Sequence, residues 1–227
     1  LMLSYSTRSQ ITFQKLYGSG LETGYSVLEL QDGYLIMGST GGIGIQSDVY
    51  LVKTDFSGNV LWSKNYGGVY NEETYSIAPT SDGGFVMAGN TTTFTGPSLS
   101  DPMCIYMIKV DAFGDLVWSN SINIGSYESA YCIKETFDHG FILTGYTTNL
   151  DRDLALVKTD SLGNTEWFQT FGTATSSFDV GRGVIQTRDS GYAVVGYSTA
   201  FSSPGDTSIY LIRTTSTGVA LNTYHYT

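Results

Sequence analysis

The sequence predicts an all-β fold, and within that class a β-propeller built from four-stranded antiparallel blades. Three observations favour it. Short segments rich in Val, Ile, Tyr, Phe and Thr alternate with turn residues along the whole chain. No stretch of about 11 residues or more has helical periodicity. One unit of four such segments recurs along the chain, and four antiparallel strands per repeat are typical of a propeller blade.

Two strings define the repeat. The first reads YLVKTDFSGNVLW at 50–62, YMIKVDAFGDLVW at 106–118, ALVKTDSLGNTEW at 155–167 and YLIRTTSTGVALN at 210–222. The second begins with YSVLEL at 25, YSIAPT at 75, YCIKET at 131 and RGVIQT at 182, and each copy continues through a turn into a second apolar run. Each complete repeat therefore contains four strand segments, which we call a, b, c and d.

The second copy illustrates the four segments. Segments a (Tyr75–Thr80) and b (Phe85–Thr91) are joined by an Asp-Gly turn, a strong hairpin signal. Segments c (Ile105–Val110) and d (Leu116–Ile122) are joined by Asp-x-x-Gly, which suits a type I turn closed by a left-handed glycine. The sequence therefore predicts two hairpins per blade.

The repeat boundaries predict a single domain of four complete blades, at 18–67, 68–122, 123–172 and 173–227, preceded by a half blade at 1–17. LMLSYSTRSQITF aligns with YLVKTDFSGNVLW, so residues 1–17 contain a degenerate segment c and a segment d. The missing a and b strands have three explanations: upstream blades of a longer propeller, closure by irregular strands, or strands from a second chain. We favour the first, with assembly as its rival.

Composition excludes several classes of function. Lys and Arg number 11 against 21 Asp and Glu, a net charge of −10, and no basic cluster is present, which argues against nucleic acid as a partner. No apolar run is long enough to cross a membrane. The two cysteines, Cys104 and Cys132, are too few for a zinc site and are expected to be free thiols.

The string K-T-D-x-x-G-N-x-x-W at 53–62, followed by Y-G-G at 66–68 and D-G-G-F-x-x-A-G at 82–89, resembles a known repeat family. It is similar to the β-propeller repeats of secreted and cell-surface proteins of bacteria and archaea, as in many Bacteroidetes surface proteins. This resemblance covers nearly the whole chain. It implies a propeller fold and an extracellular or cell-surface location, and it leaves the ligand open.

Most repeated residues are expected to be structural. Trp62, Trp118 and Trp167 are predicted to fill the wedge between blades. The cations of segment c are predicted to lie near an Asp, and the glycines of segment b to mark close backbone approach. These cations are Lys53, Lys109, Lys158 and Arg213, and these glycines are Gly38, Gly89, Gly145 and Gly196.

One acidic residue stands three positions before segment a in every complete blade. These residues are Glu22, Glu72, Glu128 and Asp179. They are interpreted either as local caps that accept backbone N–H bonds, or as an acidic ring at a channel mouth that binds a cationic group or a divalent cation such as Ca²⁺. No other cofactor is expected.

Variable loops locate the predicted binding face. The a–b and c–d turns are short and uniform, whereas the b–c and d–a loops differ between copies and lie together at the opposite face. Tyr70, Tyr127 and Phe178 are the candidate ligand-binding aromatics there, beside the four acidic residues. Such loops suit a protein or glycan ligand, and they equally suit an inert hydrated rim.

Catalysis is not favoured. The two histidines, His139 in an a–b turn and His225 near position 227, are not expected to pair with a loop Ser or Cys as base and nucleophile. The sequence therefore predicts a non-catalytic extracellular or cell-surface binding or structural module. The alternatives are a carbohydrate-active enzyme on the same fold, and a subunit of a surface layer or filament assembled through the half blade.

Overall fold

The computed structural model describes residues 13–18, 20–41, 46–68, 71–92, 103–149, 151–172, 177–200 and 206–226, and these residues contain four antiparallel sheets of four strands each. Sheet 1 contains β1 (Thr23–Leu30), β2 (Gly33–Thr40), β3 (Asp48–Thr54) and β4 (Val60–Tyr66). Sheet 2 contains β5 (Glu72–Pro79), β6 (Phe85–Thr91), β7 (Cys104–Val110) and β8 (Leu116–Ile122). Sheet 3 contains β9 (Tyr127–Glu135), β10 (Phe141–Thr148), β11 (Arg152–Thr159) and β12 (Thr165–Phe171). Sheet 4 contains β13 (Asp179–Gln186), β14 (Tyr192–Ser198), β15 (Ser208–Thr214) and β16 (Ala220–Tyr226).

The sheets follow one another around an axis, with the first strand of each innermost. Strand order within every sheet is sequential, so each sheet is a meander of segments a to d as predicted. The inner strands β1, β5, β9 and β13 pack against one another in turn. Among the described residues, every closely packed pair of strands lies within one sheet or between consecutive sheets. Inner strands begin earlier than predicted, because the β5–β6 ladder extends to the Glu72–Thr91 pair.

Apolar layers between consecutive sheets form the core. Leu35 and Met37 of sheet 1 pack with Phe85 and Met87 of sheet 2, and equivalent layers join sheets 2 and 3 and sheets 3 and 4. The faces of the middle sheets are therefore buried on both sides, which explains why β6 and β7 are buried along their whole length.

The predicted wedge role of the tryptophans is confirmed. Trp62, Trp118 and Trp167 each pack against one of the three apolar layers. The ring of Trp62 covers Gly114 in the c–d turn of the next sheet, where a Cβ would lie 2.7 Å from the ring. Gly114 also has φ +76°, so this turn needs glycine for its backbone conformation and for the tryptophan.

The predicted position of the segment c cations is also confirmed. Each of the four forms an ion pair with the Asp of its own sheet's a–b turn. Lys109 illustrates the geometry: its ammonium is buried and contacts the Asp82 carboxylate at 2.8 Å. The pair lies across the ends of three strands, so it fixes both hairpins of a blade to each other.

Close backbone approach at the segment b glycines is confirmed as well. A Cβ at Gly145 would lie 1.8 Å from the Ser129 carbonyl oxygen of the inner strand, and Gly38, Gly89 and Gly196 are equally tight. The approach is tight because each inner strand has a bulge at this point. The bulge leaves one inner-strand residue without a partner in the ladder.

Residues 13–17 are described without a strand, and residues 1–12 lie outside the described residues. Four sheets are therefore present, and the additional half blade is not confirmed. Residues 13–17 nevertheless contact sheet 1 as β4 contacts sheet 2. The Tyr17 hydroxyl donates to the Gly58 carbonyl at 3.0 Å, as the Tyr66 hydroxyl donates to the Gly114 carbonyl at 2.6 Å. The described part of the chain includes no helix with the length and apolarity to cross a bilayer.

Candidate functional site

The variable-loop face is the end of the sheets at which the b–c and d–a connections lie. In a four-stranded meander the a–b and c–d turns share one end and the remaining connections share the other. Backbone hydrogen bonds link these connections: the Glu72 N–H donates to the Ser47 carbonyl, and the Glu128 N–H donates to the Met103 carbonyl, both at 2.7 Å. The inner strands β5 and β9 are thus anchored at this face to the preceding sheet.

The Glu72 carboxylate lies inside one of these anchors. It accepts the Gly68 N–H at 2.7 Å and the Thr91 hydroxyl at 3.0 Å, and the residue is 1% exposed. Burial raises the pKa of Glu72, and the nearby Asp48 carboxylate raises it further. The geometry is that of a loop cap that is held in a seam between two sheets.

Glu128 and Asp179 occupy the same position in the next two seams, and both are 0% exposed. The Ser177 hydroxyl donates to Asp179 Oδ2 at 2.9 Å, while Asp179 Oδ1 and both Glu128 carboxylate oxygens have no hydrogen bond of normal geometry. Burial raises the pKa of Glu128, and the N–H groups of Ile124 and Gly125 offset part of that rise. Glu22, which is half-buried, accepts the Gly20 N–H at 3.0 Å.

Backbone N–H bonds favour the capping interpretation for Glu22 and Glu72, whereas Glu128 and Asp179 are buried at the equivalent positions without such a bond of normal geometry among the described residues. Side chains that are 0–1% exposed do not reach a ligand on the surface, so we assign Glu72, Glu128 and Asp179 to the seams. Among the residues that the structure describes, no group of three or more His, Cys, Asp or Glu side chains is placed to hold a metal ion.

The predicted aromatics have different positions. Tyr127 and Phe178 are 42% and 51% exposed at the starts of their inner strands, in parallel bridges with Met103 and Arg152 of the preceding sheet. They are therefore fixed by backbone and open to solvent, as a contact surface requires. Tyr70 lies outside the described residues.

A row of side chains that sequence reasoning missed lies beside them. The bulge of each inner strand leaves out one residue: Tyr25, Tyr75, Tyr131 or Arg182. Consecutive members touch across the seams, since the ring centroids of Tyr25 and Tyr75 are 5.2 Å apart and those of Tyr75 and Tyr131 are 5.3 Å apart. The guanidinium of Arg182 then lies 4.0 Å from the Tyr131 ring centroid. The signal was present in the sequence, because these residues open the four copies of the second string.

A second arginine extends this row. The Arg152 guanidinium lies 4.3 Å from the ring centroid of Tyr146 and 5.5 Å from that of Phe178. Tyr146 contacts Tyr131 at 6.0 Å, and Arg182 also lies 5.6 Å from Tyr197. We call the resulting series the aromatic–arginine stack. It consists of Phe178, Arg152, Tyr146, Tyr131, Arg182 and Tyr197.

His139 contacts a serine that sequence analysis did not identify. His139 Nδ1 lies 2.8 Å from the Ser81 hydroxyl in the a–b turn of the preceding sheet, and Glu135 accepts the Ser81 hydroxyl at 2.8 Å. Sequence could not show this pair because it spans two blades. Glu135 Oε1 lies 3.6 Å from that same Nδ1. A serine–histidine–acid relay needs the acid on the other ring nitrogen, so the group is a contact between turns and does not form a relay.

The predicted state of the cysteines is confirmed. Cys104 and Cys132 are both free thiols. Burial raises the pKa of the Cys104 thiol, and the charge of Glu128 raises it further. A raised thiol pKa lowers the fraction of nucleophilic thiolate at neutral pH.

Comparison with known proteins gives the fold. No protein-family model and no curated protein matches the chain. Among solved structures, the WD40 domain of Pan2 from Neurospora crassa is similar, with a TM-score of 0.56 and 12% sequence identity over 89% of this chain and 52% of that one. The chain therefore spans about half the length of that domain. Together with the four sheets arranged around an axis, this likeness shows that the chain has a β-propeller fold.

Proposed function

We propose that this protein is a non-catalytic binding scaffold that holds a partner protein at its variable-loop face. The observation that carries the proposal is the continuous row of three tyrosines and Arg182 on the inner strands, which Arg152 of β11 extends, with the exposed Tyr127 and Phe178 at the same face. Tyr and Arg are enriched among residues that dominate binding energy at protein interfaces. The opposite face, at which the a–b and c–d turns lie and which we call the turn face, has ion pairs and a serine–histidine contact between blades in place of such a row.

The geometry supports binding more than hydrolysis. Three of the four acidic residues that a glycosidase would use are buried in separate seams, whereas the aromatic side chains at the same face are accessible. The resemblance of the repeats to those of secreted and cell-surface propellers supports an extracellular or cell-surface location. A glycan is the alternative ligand at this face.

We further propose that residues 1–17 form strands c and d of another blade. Four contacts support this. In addition to the Tyr17 bond, Lys15 donates to Asn59 at 2.6 Å, as Lys64 bonds Asp115 at 2.5 Å. Lys15 lies over Phe13 as Lys64 lies over Trp62. A Cβ at Gly58 would lie 2.5 Å from the Phe13 ring.

The proposal expects Phe13→Ala to destabilise sheet 1 as Trp62→Ala destabilises sheet 2, and an unchanged unfolding midpoint for Phe13→Ala would contradict it.

Site-specific photo-crosslinking tests the binding function. A benzophenone amino acid replaces Tyr127 on the variable-loop face, or Phe113 in a c–d turn as the matched control, because both are exposed aromatics. After exposure to an extract of the source cells, we expect a discrete protein adduct at position 127 that excess unmodified chain suppresses, and none at position 113. Equal adducts at both positions, or no suppressible adduct at position 127, would reject the proposal. A glycan array run in parallel separates the alternative ligand.

A further inference from the structure

We propose that the aromatic–arginine stack is an anion-recognition site that binds the acidic side chains of a peptide segment in the partner protein. This inference rests on the proposed function and adds the chemistry of the partner. The two arginines carry the argument, because they are the charged members of the stack and lie on adjacent sheets, in β11 and β13.

Neither guanidinium has a carboxylate counter-ion within the described part of the fold. The side chains of Arg152 and Arg182 form no hydrogen bond with the described residues, and Arg152 Nε is buried without a partner. The strand c cations behave differently, since each of them has a carboxylate partner in its own a–b turn. Asp151 and Asp153 flank Arg152 in the sequence, and Glu128 and Asp179 lie in the neighbouring seams, but no ion pair among the described residues joins any of these four carboxylates to either arginine.

The stack holds both guanidinium groups in place before any ligand arrives. Arg182 lies between Tyr131 and Tyr197, and Arg152 lies between Tyr146 and Phe178. Stacking on a ring occupies the face of a guanidinium and leaves the N–H donors at its edge free. Those donors match the two oxygens of a carboxylate, and a pre-positioned side chain loses less entropy on binding.

The surroundings favour an acidic peptide over an acidic glycan. A sugar ring needs an open aromatic face, and arginines already lie over the rings of Tyr131 and Tyr146. The chain as a whole carries a net charge of −10, so an acidic partner is repelled elsewhere on the surface. Two unpaired arginines at one place then determine where and in which orientation the partner binds.

Fluorescence anisotropy with a fluorescein-labelled poly-glutamate peptide at low ionic strength tests the site on the full chain. The test variant carries Arg182→Gln and Arg152→Gln. The control variant carries Arg188→Gln and Arg213→Gln, which remove the same charge from sheet 4 near the other face. We expect saturable binding by the unmodified chain, an increase in Kd of about tenfold or more in the test variant, and less than about twofold in the control. Circular dichroism confirms that both variants fold.

Three results would overturn the inference. These are no saturable binding by the unmodified chain, equal weakening in both variants, and binding of polygalacturonate in place of poly-glutamate. The crosslinking experiment at Tyr127 reports separately on the proposed function. An adduct at Tyr127 that persists in the Arg152 and Arg182 variant means that a protein partner binds without this anion site. Loss of both signals in the unmodified chain rejects the two proposals together.

Discussion

Individual carboxyl groups in this propeller have opposite environments at its two faces. At the variable-loop face, burial raises the pKa of Glu72 and Glu128. At the turn face, the hydrogen bond from Lys109 lowers the pKa of Asp82 to about 2. The two groups of carboxylates therefore contribute to stability in opposite directions as the pH changes.

Glu128→Gln should stabilise the protein at neutral pH. The folded-state pKa of Glu128 lies above its unfolded value, so the folded state prefers the neutral carboxyl group. The contribution of this preference to the free energy of unfolding is lost as the pH rises through the folded pKa. A neutral isostere avoids the loss, and we expect a gain of about 1 kcal/mol in the free energy of unfolding at pH 7 that vanishes near about pH 4. Urea denaturation at several pH values measures it. Glu22→Gln at the half-buried equivalent position is the control, with a change below about 0.5 kcal/mol. A loss of stability in Glu128→Gln that does not vary with pH would contradict the argument.

Asp82→Asn should destabilise the protein, because it leaves the buried Lys109 ammonium without its anion. The depressed folded-state pKa of Asp82 means that its contribution is present above about pH 4 and disappears as the pH falls toward about 2. We expect a loss of about 2 kcal/mol at pH 7 and a flatter decline of stability in acid. Asp115→Asn, which breaks the exposed pair with Lys64, should lose no more than about 0.5 kcal/mol. Equal losses in the two variants would refute a special role for the buried pair.

At the scale of the strand, the bulge in each segment a is the element that organises the candidate site. It brings the inner strand against a segment b glycine and turns one side chain per blade into the row from Tyr25 to Arg182. Bulges recur at one place in all four sheets, so they belong to the repeat itself.

Gly145→Ala tests this element. The new methyl group would lie 1.8 Å from the Ser129 carbonyl oxygen, so either the bulge or the β9–β10 ladder must shift. We expect a loss of about 3 kcal/mol or more in the free energy of unfolding. We also expect weaker binding at the stack, because Tyr131, one of its members, is the bulged residue of the inner strand at this point. Gly24→Ala is the matched control: it lies in an inner strand with nothing within 4 Å of a Cβ, and its effect should stay within about 0.5 kcal/mol. Thermal unfolding with an equal drop in both variants would remove the bulge from the explanation.

The sequence could predict each element but not how elements of different blades meet. Repetition located the strands to within a few residues, and it identified the tryptophan wedges and the Lys109–Asp82 type of ion pair, because these contacts form inside one copy or between equal neighbours. The Arg152–Tyr146 contact and the Ser81–His139 pair could not be predicted, because Arg152 and His139 each occur at their position in one copy only. The bulges were also missed: the bulged residues recur at the start of each second string, but recurrence does not show that a residue is unpaired in its strand.

On the scale of the whole molecule, the two end sheets differ from the middle ones. Sheet 4 presents Val195 and Ile209 at 43% and 56% exposure, whereas their counterparts Ala88 and Ile105 in sheet 2 are buried against sheet 3. Ile185 and Tyr224 enlarge the same exposed face. A sheet face as apolar as the buried layers between blades is unfavourable in contact with water and favours association with a covering partner.

The 227-residue chain should therefore self-associate through sheet 4 when it is expressed alone. We expect size-exclusion chromatography with light scattering to show a mass that rises with concentration, and Val195→Lys with Ile209→Lys to return it to a monomer while circular dichroism stays unchanged. Leu116→Lys with Val117→Lys is the control, because it adds the same charge to exposed apolar positions of the outer strand β8. If association depended on the exposed apolar area in general, both double variants would reduce it. If association depends on the unpartnered interblade face, as the equivalence with sheet 2 requires, only the sheet 4 variant will reduce it. A chain that stays monomeric at all concentrations would show that this face needs no partner.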